Sequence, residues 1–463
     1  MKPLSFVVLL MLCLAPACGG DDTAAKPRTS QQKKRLKSPK TRPANAKPPS
    51  AKPVSTRPTT SKERMQALPG RWQQHQKRSQ SDEELEQLVA MGYAAGYKPP
   101  HADNGVLVYD TKRAQPGQNL YVSGHGPEAI LIDMEGKVLH KWGYSFFDAW
   151  PDTKVAKEFP DHWRRAHLYP NGDLAAIWGG KGLVKLDKNS KPLWSHRDPI
   201  HHDLGIVGTK LYTLTRQSTK IPTLNADKKV VMDYIVVFDE QGEVEQKVSI
   251  FDCFQNSAFA PIIKQMADNG DVLHTNTIEV LDGSHAHLAP AFKKGHILLS
   301  FRRIDTIAIV DLAAQEVVWT LRGMWHGQHQ PAFLKNGHML IFDNKGPKRS
   351  SRVHEFDPLT QQVFWTYGAD DDQHFYSELL GSVARMPNGN TLITESDNGR
   401  AFEVTPAGDI VWEFVNPHTA GKNDEFVGSI YELIRLPADF PTAWADPTTA
   451  EINIDISRAA GKR

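Results

Sequence analysis

The stretch Thr306-Ile-Ala-Ile-Val-Asp311, closed by a turn and Val317-Val-Trp319, is one of six copies of a single phrase. The phrase reads apolar, any residue, apolar, Asp, turn, then Val-x-Trp. Upstream copies are Ala129-Ile-Leu-Ile-Asp133 to Trp142, Gly182-Leu-Val-Lys-Leu-Asp187 to Trp194, and Tyr234-Ile-Val-Val-Phe-Asp239 to Val248. Downstream copies are Arg352-Val-His-Glu-Phe-Asp357 to Trp365 and Arg400-Ala-Phe-Glu-Val-Thr405 to Trp412. The Asp or Thr positions step by 54, 52, 72, 46 and 48 residues. Modules of that length, made of strands without intervening helices, predict an all-β, six-bladed β-propeller. Polar residues that do not serve the repeat then become candidates for its axial channel.

Each copy reads as two hairpins. Asn336-Gly337, Asn171-Gly172 and Asn388-Gly389 are hairpin turn signals, expected to put both residues at positive φ, and Lys294-Gly295 is a weaker one. The strands are rich in Val, Ile, Leu, Phe and Trp, as a half-buried pleated surface requires. The recurring Trp is expected to pack between blades. The long gap from 239 to 311 carries extra residues, Phe254 to Gly283, read as a loop inserted on one face.

The formal charge of +2 conceals an asymmetry. Thirteen Lys/Arg and one acid give residues 23–64 a charge of +12, while 41 basic and 50 acidic residues leave 65–463 at −9. An acidic body excludes nucleic-acid binding on electrostatic grounds. The basic stretch is rich in Lys, Pro, Ser, Thr and Ala and poor in large apolar residues, so it is read as a disordered tether. Ahead of it, Lys2, the apolar run Leu4 to Leu14 and Ala15-Pro16-Ala17-Cys18 have the layout of a secretory signal, too short to span a bilayer. The small residues before Cys18 fit lipidation at that cysteine; ordinary cleavage after Ala17 is the alternative. Domain expectations are therefore a signal at 1–18, a tether at 19–68, an N-terminal helical segment at 69–104, the propeller at 105–445 and a tail at 446–463. Within the third, Ser81 to Gly92 reads as a short helix with a capping box from Ser81 to Glu84. The third cysteine, Cys253, beside Phe251 and Phe254, is read as a buried apolar residue.

Nineteen histidines are present, and several fall at matching positions. The first strand of a module starts seven residues before its Asn-Gly turn. His329 fills that slot before Asn336, and His201-His202-Asp203 sits similarly before Gly208. Asp271-Val-Leu-His274-Thr-Asn276 opens the next module, where strand alternation would put His274 and Asn276 on one face. Arg302-Arg303 follows Leu298-Leu-Ser300. A neutral imidazole is a good nucleophile near neutral pH and also moves protons. Guanidinium and amide groups grip a tetrahedral oxyanion through several donors. The set suits transfer of an oxyanionic group through a histidine adduct, dominated by positioning and charge stabilisation.

Asp271-Val-Leu-His-Thr-Asn-Thr-Ile278, Leu299-Ser-Phe-Arg302, and Gln328-His329 with Phe342-Asp-Asn344 resemble the bacterial arylsulfate sulfotransferases. So do Asn119-Leu-Tyr-Val-Ser123 and Leu131-Ile-Asp-Met-Glu-Gly-Lys-Val-Leu-His-Lys-Trp142. The likeness runs over about 105–440. It implies sulfuryl transfer from an aryl sulfate to a phenol, ping-pong through a sulfohistidine, without adenosine phosphosulfate. His329 matches the nucleophile. His274, Asn276 and Arg302 match the groups that hold the sulfuryl oxygens, and His202 or His201 matches the upstream histidine that moves the proton. Arg303 is a further substrate-binding candidate, as is Trp325, with Trp150 and Trp163 beside it as possible ring-packing residues. The family's N-terminal sandwich domain and disulfide have no counterpart here, so a monomer is expected. No cofactor and no metal are expected, although His201-His202-Asp203 and His285-Ala286-His287 have zinc-ligand spacing. Expected partners are small aryl sulfates, phenols and, through Cys18, a membrane; the expected location is the periplasm or cell surface. The competing function is a non-catalytic exported propeller serving as a ligand-binding or assembly scaffold.

Overall fold

A computed structural model describes residues 95–153, 161–266, 270–421 and 423–451. The signal, the tether, the expected helix at 81–92 and Cys18 lie outside these residues. The described chain builds six four-stranded antiparallel blades. Blade one comprises Arg165–Leu168, Leu174–Trp178, Gly182–Leu186 and Pro192–His196. Blade two comprises Ile200–Val207, Lys210–Thr219, Val230–Phe238 and Val244–Ser249. Blade three is Thr275–Val280, Ile297–Phe301, Thr306–Asp311 and Glu316–Arg322; blade four is His329–Phe333, Met339–Gly346, Ser350–Phe356 and Val363–Tyr367. Blade five runs Ser382–Arg385, Thr391–Glu395, Arg400–Val404 and Ile410–Val415, with Gly105–Tyr109 added outside as a fifth strand. Blade six joins the two ends of the chain: Ile430–Leu436 is its innermost strand, followed outward by Gln118–Ser123, Glu128–Ile132 and Val138–Gly143.

The repeated residues have identifiable work. The phrase-ending Asp bonds the turn after the third strand: Asp133 Oδ1 accepts from the amides of Glu135 and Lys137, and Asp187, Asp239, Asp311 and Asp357 do the same in their copies. Thr405 substitutes with its hydroxyl, which accepts from Asp409 N. The Trp of the fourth strand staples its blade to the next. Trp142 Nε1 donates to Gly172 O at 3.0 Å, Trp194 to Glu240 O at 3.1 Å, Trp365 to Pro406 O at 2.9 Å and Trp412 to Met134 O at 2.9 Å. These bonds tie blade six to one, one to two, four to five and five to six. Side chains on the inner strands tie two to three and three to four, so the ring closes.

Two expectations are corrected. In the Asn-Gly turns only the glycine takes positive φ, 90° at Gly172, 85° at Gly337 and 92° at Gly389. The asparagine stays in ordinary space because its Oδ1 accepts from the amide two residues on, as Asn336 does from His338 N at 3.0 Å. The extra length of the third gap is not one loop. It is split between a helix and 3₁₀ turn at Ile250–Gln255 and Ala260–Gln265 and a long connection after Val280 within blade three. Cys253 is fully buried in that helix, its thiol pushed up to about 12 by burial.

Candidate active site

The innermost strands of blades two, three and four each break regular pairing at their start. Pairing slips between Thr213 and Leu214 opposite the first strand of blade two, between Thr275 and Thr277 in blade three, and between His329 and Ala332 in blade four. Beside these bulges His202, His274 and Gln330 adopt φ of 60°, 53° and 48°. A non-glycine residue in that region costs about 1 kcal/mol or more and persists where the surroundings over-determine it. Bulges re-aim side chains; here they turn histidines of neighbouring blades toward one mouth of the channel.

His329 is only 5% exposed. Its Nδ1 lies 2.7 Å from Asn344 Oδ1 and 3.1 Å from Gly327 O, both acceptors. Asn344 cannot offer its amide hydrogens instead, because Nδ2 donates to the carbonyls of Ser377 and Leu380, each at 2.8 Å. The proton of His329 therefore sits on Nδ1, and Nε2 carries a lone pair. That Nε2 is buried with no hydrogen-bond partner. Burial first, and then the Arg302 guanidinium, push the imidazole down to about 3, so it is neutral at physiological pH. A buried, neutral, unpartnered imidazole nitrogen has the lone pair that a nucleophile needs.

Arg302, 2% exposed, opens a 3₁₀ turn after Ile297–Phe301, and its amide donates to His274 O at 3.2 Å. His274 Nδ1 is 2.7 Å from Asp271 Oδ2. Burial opposes ionisation of Asp271, but His274, Arg216 and Arg303 outweigh it and hold the carboxyl well below its usual range. The His202 ring packs edge-on against His274, centroids 4.8 Å apart. Behind it, His201 Nδ1 is 2.7 Å from His202 Nδ1, and His201 Nε2 is 3.3 Å from Asp233 Oδ1. Asp233 Oδ2 accepts from the amide and hydroxyl of Thr275 at 2.7 and 2.6 Å, locking blade two to blade three. Of the two upstream histidines, His202 thus faces His274 while His201 backs it. Burial, His274 and His201 keep His202 well below the ordinary histidine range.

The alternation expected of His274 and Asn276 does not apply, because His274 precedes the strand at φ 53° and Asn276 falls in the bulge between Thr275 and Thr277. His274 turns to blade two, whereas Asn276 Nδ2 donates to Gln328 O at 2.8 Å, clasping the strand that carries His329. Gln328 is held further by Ser300 Oγ and the carbonyls of Phe301 and Thr306. Trp325 is not brought to the site. It is fully buried among blade-three and blade-four residues, against Phe356, and its indole donates to Asp305 O. Trp163 is likewise buried against Trp178, and Trp150 packs on Phe146 and Trp178. Arg303 contributes to the field on Asp271. Among the described residues no group of three or more His, Cys, Asp or Glu converges to hold a metal ion. A cleft of about 290 Å³, lined by Glu279, Leu281, His285, Phe292 and Phe333 among others, opens near the far ends of the inner strands, away from His329.

One residue at this mouth escaped the sequence reading. Arg164 stands seven residues before Asn171-Gly172, the slot His329 occupies before Asn336-Gly337. The spacing rule would have found it had it not been applied to histidines alone.

The family model for arylsulfotransferase (ASST) matches residues 168–417, a span that contains His202, His274, Asn276, Arg302 and His329. The chain belongs to the arylsulfotransferase family. That membership supports an arylsulfotransferase-type function in general. Arg164, Arg165 and Tyr431 lie outside the matched span. No curated protein matches the chain. Among solved structures it is similar to a protein of unknown function from Bacteroides caccae, at 13% identity over 68% of this chain and 98% of that one, with a TM-score of 0.45. It is also similar to the Swd1 β-propeller domain of Myceliophteria thermophila, at 11% identity over 69% and 88%, with a TM-score of 0.40.

Proposed function

We propose that the protein transfers a sulfuryl group from an aryl sulfate to a phenol by a ping-pong route through a sulfohistidine at His329. The observation that carries this reading is the unpartnered Nε2 of His329, with its proton confined to Nδ1 by Asn344. In the first half-reaction Nε2 attacks sulfur and the bond from sulfur to the aryl oxygen breaks. The leaving aryl oxide takes a proton from Nε2 of His202. The His202–His201 pair, joined Nδ1 to Nδ1 at 2.7 Å, supplies that proton and goes from cationic to neutral beside Asp233. In the second half-reaction an acceptor phenol gives its proton to His202, its oxygen attacks sulfur, and the bond from Nε2 to sulfur breaks. Arg302 and His274 flank the position of the sulfuryl oxygens, where charge stabilisation supplies most of the acceleration. Asn276 supports the nucleophile's strand through Gln328 O and has a second N–H for the substrate.

The test is turnover of 4-nitrophenyl sulfate with added phenol. His329→Ala should reduce it by about three orders of magnitude or more and abolish a trappable label on histidine. Turnover retained in that variant would refute the sulfohistidine at His329, and no turnover by the unmodified protein would leave the scaffold reading standing instead. Export with a lipid on Cys18 is also part of the proposal and rests on residues 1–18 alone. Palmitate incorporation that survives Cys18→Ser would refute it.

A further inference from the structure

The mouth holds more positive charge than one sulfuryl group requires. Arg164 occupies on blade one the slot that His329 occupies on blade four. Blades one and four are three places apart in a ring of six, so the two slots face each other across the axis. The guanidinium of Arg164 stacks over Tyr431 of the innermost strand of blade six, 5.1 Å from Cζ to the ring centroid. Among the described residues it has no hydrogen bond and no ion pair beyond that contact. Burial and the fields of Arg216 and Arg302 hold its pKa below the usual arginine value. A partly buried guanidinium among like charges is costly unless an anion joins it.

The neighbouring turn is shaped around it. Trp178-Gly179-Gly180-Lys181 connects the second and third strands of blade one, and Gly180 N donates to Ile200 O, two residues before His202. A Cβ on Gly179 would stand 2.1 Å from Cδ of Arg164, and a Cβ on Gly180 would stand 2.8 Å from a terminal nitrogen of Arg216. Two successive glycines thus let two arginines lie side by side against one turn. Arg216 shares the field of Asp271 with His274 and Arg303; Arg164 has no such carboxylate.

We propose that Arg164 and Arg216 form a second anion subsite across the mouth from His329, so that an aromatic substrate of this enzyme carries a carboxylate, phosphate or second sulfate besides the group transferred. This rests on the sulfuryl-transfer reading for the word substrate, but its test needs no turnover. Binding is measured by calorimetry on the purified full-length protein with two inert pairs. 4-Sulfobenzoate against its methyl ester probes the donor position, and 4-hydroxybenzoate against its methyl ester probes the acceptor position. The free carboxylate is expected to bind about tenfold tighter than the ester in at least one pair; which pair responds identifies the half-reaction. Arg164→Met and Arg216→Met should each bring that ratio toward one. Arg164→Lys should retain part of it, and Lys210→Ala, at an exposed ion pair with Glu245, should leave it as in the unmodified protein. A ratio within about twofold of one for both pairs, or a preference that survives both methionine substitutions, overturns the inference. Turnover of 4-nitrophenyl sulfate, measured separately, judges the transferase reading.

Discussion

Asn344→Leu separates the support of the nucleophile from the nucleophile itself. Leucine keeps the volume of the side chain but removes one acceptor and two donors. The lost donors leave the carbonyls of Ser377 and Leu380 without their Nδ2 partner at 2.8 Å. Ser377 O keeps the Ser351 hydroxyl at 3.2 Å, so the cost is chiefly that of stranding Leu380 O, about 1–3 kcal/mol. In a chain of this size that is a fall in Tm of roughly 1–4 °C. The lost acceptor acts on chemistry. Gly327 O still holds Nδ1 at 3.1 Å, so the proton is less strongly confined, not released. Losing one hydrogen bond of about 1 kcal/mol changes the tautomer ratio by roughly fivefold. The same bond also strengthens as the ring becomes an imidazolium, so the donor half-reaction should slow by about two- to fivefold, far less than in His329→Ala. The assay is rapid mixing with 4-nitrophenyl sulfate at a temperature where both proteins are folded, following the first release of 4-nitrophenol. Nitrogen-15 shifts of His329 report the tautomer independently. An unchanged rate would refute the confinement argument. A thousandfold loss in a folded variant would refute it in the other direction, since Asn344 would then be touching substrate.

Asp233→Asn should weaken the acid role of His202 by removing the carboxylate that faces His201 Nε2 at 3.3 Å behind it, so poor leaving groups suffer most. Phenyl sulfate turnover is expected to fall about 10- to 100-fold and 4-nitrophenyl sulfate turnover only a few-fold; equal losses on both would sink the relay. Glu279 is pushed up to about 8 by burial and by Asp203 and Asp282. The folded state thus keeps a proton that the unfolded chain releases from about pH 4.5 upward, and stability is lost as pH rises through the folded value. Glu279→Gln should accordingly gain Tm relative to the unmodified protein as pH goes from about 5 to about 8, and a constant difference across that range would show that Glu279 is already ionised.

The repeat was legible because its residues are explained locally. Asp311 bonds its own turn and Trp142 reaches the next blade at a fixed offset, so period and partner follow from spacing. Ring closure was not legible, because Ile430–Leu436 pairs with Gln118–Ser123 across more than 300 residues, and no local pattern encodes a pairing at that range. The catalytic candidates emerged from one strand-start slot, yet their directions did not. Alternation presumes a regular strand, but His274 stands ahead of the strand at positive φ and Asn276 falls in the bulge between Thr275 and Thr277. Trp325 shows the converse error: beside a candidate segment in sequence, it belongs to the core in space.

The electrostatics of His329 favour one electrophile over another. A proton and a sulfuryl group compete for the same lone pair on Nε2. Adding a proton adds a full positive charge beside Arg302 in a desolvated site, which is why the imidazole sits near 3. In the proposed adduct the imidazolium charge arrives together with the negative charge of the transferred oxygens, so the field that repels a proton does not repel the sulfuryl group. The approaching sulfate also offsets Arg302 before the new bond forms. A low basicity measured against protons therefore does not mean a weak nucleophile toward an anionic electrophile. The same cationic surroundings that keep Nε2 bare in acid would draw and hold the group it is to receive.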